Sequence, residues 1–126
     1  MPDIADPRIL IVDDDTAHAA SVRDLLNAHQ YPAATISDST TVIEALRSHD
    51  YHVLLLDLNM PGLTGLEVLE AIKNADVDIK TIVLSGESKL STVTPILRLG
   101  AHDYLAKPYE PQQLLTSVEN ALMQAQ

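Results

Sequence analysis

An α/β fold, with a parallel sheet between two layers of helices, is predicted by three features of the 126-residue sequence. Short apolar runs recur without alternation, Ile9-Leu10-Ile11-Val12, Val53-Leu54-Leu55-Leu56 and Thr81-Ile82-Val83-Leu84, as expected of strands covered on both faces. Stretches with apolar residues at helical spacing lie between them. The connections are short, so successive strands are joined by right-handed crossovers and run parallel.

The first strand, Ile9 to Val12, stops at Asp13-Asp14-Asp15, and a helix is expected from Thr16 to His29. A weaker strand signal near Ala34 to Ser37 precedes a helix from Ser39 to His49, with Val42, Ile43 and Leu46 inward. The run Val53 to Leu56 ends in Asp57, and the helix Gly65 to Asn74 follows, inward through Leu66, Leu69 and Ile72. The third strong run closes on Ser85-Gly86. Beyond it come a helix near Leu90 to Leu99, a strand near Asp103 to Ala106 and a last helix from Pro111 to Ala125. Pro111 suits the first turn of that helix, where its missing N–H costs nothing. Pro95 is expected to delay the fourth helix, distort it or confine its regular part to Ile96 onward.

Composition narrows the function. The length fits one domain, with a core from about residue 7 to 124, and 46% apolar with 21% charged residues is the balance of a globular chain rather than a disordered one. A formal charge of −10 repels nucleic-acid phosphates and anionic lipid, so neither direct nucleic-acid binding nor membrane association is expected. The absence of cysteine excludes disulfides, thiolate zinc sites and cysteine nucleophiles. With no signal peptide and no apolar run of spanning length, a cytoplasmic location is expected.

In open parallel sheets ligands gather at the carboxyl ends of the strands, where Asp13, Asp14, Asp57, Ser85 and Lys107 should converge. Carboxylates brought so close need a raised pKa or a compensating cation. Mg²⁺ meets that need with oxygen ligands, and Asp as covalent acceptor with Lys and a hydroxyl beside it points to phosphoryl transfer. Asp13 to Asp15 before a helix also read as a capping run. A calcium loop is excluded by Pro61 and Val68 at ligand positions, and no Walker or dinucleotide glycine pattern exists. His18, His29, His49, His52 and His102 show no ligand constellation and are read as structural.

Asp13-Asp14, Asp57 within LLLDLNMPGLTG, Ser85-Gly86, and Tyr104 with Lys107-Pro108 together resemble the receiver domain of two-component response regulators, over essentially the whole chain. That resemblance implies the flavodoxin-like strand order 2-1-3-4-5 with five helices. It implies Asp57 as phosphoacceptor, direct Mg²⁺ ligation by Asp14 and Asp57, ligation through water by Asp13, and a backbone carbonyl from Asn59. Ser85 and Lys107 would grip the phosphoryl oxygens, Tyr104 would act with Ser85 as the switch, Asn59 and Glu87 would tune dephosphorylation, and Lys107-Pro108 would be cis. A sensor histidine kinase or a histidine phosphotransfer protein would supply the phosphoryl group. The chain would then act by changing partner or output-domain affinity rather than as a turnover enzyme. A phosphorelay shuttle and a phosphorylation-independent module of the same fold are the competing readings.

Tyr109 stands where the family has Phe, and the last helix lacks Lys and Arg, unlike the receivers of winged-helix regulators. That helix carries Leu115, Val118, Leu122 and Ala125 in a heptad-like stripe, of which Leu115 and Val118 are read as sheet packing. With no local stop, it is expected to continue as a coiled-coil linker to a C-terminal output domain, with homodimerisation a further expectation.

Overall fold

The structure, a computed structural model, describes residues 8–58, 65–86 and 90–124. Strands β1 (Ile9–Val12), β2 (Ala33–Ile36), β3 (Val53–Asp57), β4 (Lys80–Ser85) and β5 (Asp103–Ala106) form one parallel sheet in the order β2-β1-β3-β4-β5. Helices α1 (Thr16–Ala28), α2 (Val42–Ser48), α3 (Gly65–Asn74), α4 (Leu90–Arg98) and α5 (Pro111–Gln124) alternate with the strands. The expected doubly wound architecture is therefore present.

Side chains alternate across each strand, so the unbroken apolar runs feed two cores. Ile9, Ile11, Val53, Leu55, Ile82 and Leu84 pack against α1 and α5. Leu10, Val12, Leu54, Leu56 and Val83 point the other way, onto α2, α3 and α4. Each such aliphatic side chain contributes about 1.5–3 kcal/mol when fully buried. In α5, Leu115, Val118 and Leu122 all belong to the first core, so packing accounts for three members of the heptad-like stripe. Ala125 lies outside the described residues. Among the described residues no helix is long and apolar enough to cross a membrane.

One helix start departs from expectation, and in the fourth helix, found at Leu90–Arg98 where it was expected, Pro95 does not delay the start. The second does not begin at Ser39: a 3-10 turn, Ser39–Thr41, comes first and α2 starts at Val42. Asp38 accepts from the Thr40 amide and hydroxyl at 2.9 and 2.6 Å, while Thr41 Oγ1 donates to the Asp38 carbonyl. Clustered hydroxyls thus favour a tight turn over the α-helix. The fourth helix is not confined to Ile96 onward, because α4 already starts at Leu90 and passes through Pro95. Proline forfeits one N–H bond there, to the carbonyl four residues back. Fully buried Ile96 and the bond from the Leu99 amide to the Pro95 carbonyl keep the remaining turns in place.

Candidate functional site

Register brings the strand ends together. Val12 pairs with Leu56, so Asp13 leaves β1 beside Asp57, the last residue of β3. Asp57 pairs with Leu84, Ser85 pairs with Ala106, and Lys107 follows Ala106 directly. Backbone bonds prolong the ladder by one residue: Asp13 N–H donates to Ile36 O, Leu58 N–H to Leu84 O, and Lys107 N–H to Ser85 O. The Lys107-Pro108 bond is cis.

Asp13 and Asp57 are 2% and 4% exposed, and Lys107 Nζ donates to Asp57 Oδ2 at 2.8 Å. Ligand atoms of Asp13, Asp57 and His18 all lie within 4.8 Å of one another. Two carboxylates at that spacing repel by roughly 3 kcal/mol at the effective dielectric of about 20 suited to protein sites. Burial pushes the Asp13 carboxyl above its ordinary value and Asp57 adds to the rise, against hydrogen bonds from His18 and the Asp15 amide. Lys107 supplies only one positive charge to the pair. Buried, crowded oxygen donors of this kind fit a divalent cation.

The capping reading of the acidic triplet holds for Asp15, whose side chain accepts from the His18 amide and starts α1. Asp13 has the other role, reaching into the site. Asp14 is exposed at the edge of the same turn. Ser85 is fully buried at the end of β4. Tyr104 packs against the core on the α2, α3 and α4 side, and its buried hydroxyl has no hydrogen-bond partner among the described residues. Asn59 and Glu87 lie outside the described residues.

One expectation is overturned at the site itself. His18 is not a bystander: its Nδ1 is hydrogen-bonded to Asp13 Oδ2 at 2.5 Å, and its Nε2 to the Tyr109 hydroxyl at 3.0 Å. Its place in the first turn of α1 turns the ring toward the strand ends. Tyr109 is held above its normal pKa by burial first, then by the charges of Asp13 and Asp57. The substitution of Tyr for Phe after Lys-Pro was the available signal, since a buried hydroxyl needs a partner.

Residues 9–119 match the response regulator receiver domain. The chain is 28% identical over 111 residues to the cell cycle transcriptional regulator CtrA of Caulobacter vibrioides and 31% identical over 111 residues to the cell cycle response regulator CtrA of Brucella ovis. Each match covers 88% of this chain and 48% of the relative, so the chain spans about half the length of these curated relatives. Among solved structures it is similar to the signal receiver domain of a LuxO repressor protein from Vibrio parahaemolyticus, with a TM-score of 0.89 at 26% identity, covering 96% of this chain and 93% of that one. A CheY-like receiver domain protein from Methanospirillum hungatei gives a TM-score of 0.87 at 28% identity, covering 96% and 97%. The matched stretch opens on the first residue of β1 and runs well into α5. Every strand end that builds the site falls inside it, and the chain belongs to the receiver domains of response regulators.

Proposed function

We propose that Asp57 accepts a phosphoryl group from a phosphohistidine of a sensor kinase or phosphotransfer protein, and that the product switches binding to a partner or an output domain. The observation that carries this is the buried Asp57 carboxylate, set beside Asp13 and held by Lys107 Nζ at 2.8 Å. A carboxylate oxygen of Asp57 attacks phosphorus, the P–N bond breaks, and its electron pair returns to the donor imidazole. Lys107 holds the acceptor in line and then faces the charge gathering on the phosphoryl oxygens. The Ser85 hydroxyl, at the end of the neighbouring strand, donates to one of those oxygens. Mg²⁺ held by Asp13, Asp14 and Asp57, with the Asn59 carbonyl, would neutralise the remaining charge.

The switch begins where Ser85 meets the new phosphoryl group. Tyr104 lies on β5, paired with Val83 of the strand that ends in Ser85. A shift of Ser85 therefore changes the packing space of Tyr104 and the face formed by α4, β5 and α5. Asn59 and Glu87 orient the water that later cleaves the acyl phosphate, and larger or cationic residues at both lengthen its life.

Incubation with Mg²⁺ and acetyl phosphate tests the reading. The wild-type chain should acquire an alkali-labile phosphoryl group and Asp57→Asn should not. Full labelling of that variant sinks the assignment. Asp14→Ala should weaken Mg²⁺ binding while leaving the fold intact.

A further inference from the structure

His18 gives the carboxylate pocket a nitrogen donor. One of its ring nitrogens lies within 4.8 Å of a carboxylate oxygen of both Asp13 and Asp57, its Nδ1 is already hydrogen-bonded to Asp13 Oδ2, and its side chain is 28% exposed. Among the described residues no other histidine takes part in such a group. His52 Nδ1 accepts from Arg8 Nε, and His29 Nδ1 faces the Leu25 carbonyl.

The second ring nitrogen is what lets Nδ1 serve an ion. A neutral imidazole carries one proton, on either nitrogen, and the partner of the other nitrogen decides which. Tyr109 can play either part at Nε2, because a phenol both donates and accepts. With the proton on Nδ1, it is donated to Asp13 Oδ2. Moved to Nε2, it is donated to the Tyr109 oxygen instead, and the Nδ1 lone pair turns toward Asp13 and Asp57. No net charge change is required. Ligand atoms about 2.1 Å from one ion sit about 3 Å apart or slightly more at neighbouring vertices. His18 Nδ1 and Asp13 Oδ2, now 2.5 Å apart, need to open only by some tenths of an ångström.

We propose that His18 is a metal ligand backed by Tyr109, and that it biases this receiver's divalent site toward a zinc-class transition ion over Mg²⁺. The proposal rests on the reading of the strand-end pocket as a divalent site and adds an ion preference to it. Imidazole suits zinc and its neighbours, whereas Mg²⁺ is hard, takes oxygen and keeps its waters. Carboxylate sites already favour transition ions to some degree, so the informative quantity is the change in preference on removing His18.

Titration calorimetry of Zn²⁺ and of Mg²⁺ separately into wild type and His18→Ala provides the test, with ¹⁵N-histidine NMR to name the ring that binds. Losing His18 should lower Zn²⁺ affinity about tenfold or more and shift Mg²⁺ affinity by no more than about twofold. Zn²⁺ should move the Nδ1 resonance of His18 in the wild type. Tyr109→Phe keeps the ligand but removes its support, and should weaken Zn²⁺ several-fold less than His18→Ala. His18→Gln retains a donor to Asp13 and should lose Zn²⁺ affinity like the alanine variant, which separates ligation from folding. Undiminished Zn²⁺ affinity in both His18 variants, with Mg²⁺ still bound, overturns this proposal alone. Failure of the wild type to bind either ion overturns the divalent-site reading along with it.

Discussion

Asp13 illustrates how a side chain drawn into the candidate site can be costly to the fold. Its carboxyl pKa is raised above 3.8, chiefly by burial and further by Asp57. The native state therefore holds this proton after the unfolded chain has released it, and stability falls as pH climbs from about 3.8 through the native value. Above the native value the penalty is fully present. Metal-free Asp13→Asn should accordingly melt at a higher temperature than wild type at pH 7, the gap closing as pH drops below that window; identical melting curves across the range would refute it. Asp57 and Ser85 were legible in the sequence because each closes a buried apolar strand, and Lys107 because it follows the last strand in Lys-Pro. The pairing of His18 with Tyr109 was not legible, although Tyr in place of Phe after Lys-Pro hinted at a hydroxyl in need of a partner. The two residues are 91 positions apart and meet only because the first turn of α1 faces the chain leaving β5, a juxtaposition that no local spacing encodes.

Helix ends show the same division at the level of elements. Three helices close with one motif: the amides of Tyr31, Val77 and Ala101 reach back to the carbonyls of Leu26, Ile72 and Ile96. The preceding residue is left-handed each time, at Gln30, Asp76 and Gly100. Only Gly100 advertises this in the sequence, which explains why strands and helix centres could be placed more firmly than boundaries. Strands β1, β3 and β4 were readable because burial on both faces leaves an unbroken apolar run, whereas β2 and β5 are only partly buried and gave weaker signals. Ser39–Thr41 misled, since hydroxyl side chains suit a helix start and a tight turn equally well. In α4, Pro95 removes one backbone bond from a helix that forms regardless. Pro95→Ala should raise stability by about 1–3 kcal/mol, the interior penalty of proline moderated by its place near the helix start. Urea unfolding measures this, and a lowered midpoint would show that α4 depends on the rigid ring.

For the whole molecule, the charge of −10 and the strand-end carboxylates make two separable demands on cations. General self-repulsion is relieved by any salt, through screening. Site occupancy is relieved only by an ion that binds the native state, by about 2.7 kcal/mol at a concentration one hundred times its Kd. At matched ionic strength MgCl₂ should therefore raise the melting temperature more than NaCl, and the excess should shrink sharply in Asp14→Ala. Equal effects of the two salts would mean that screening alone is at work. The strand order carries a further consequence, for the birth of the chain. Since β1 lies between β2 and β3, the first three strands are complete once Asp57 has emerged, and β4 and β5 then join in turn at the edge left open. No strand has to be slotted between two that are already paired. The order in which a ribosome delivers the strands is thus an order in which the sheet can grow, and the acidic half of the site, Asp13 beside Asp57, is assembled before Lys107 has been made.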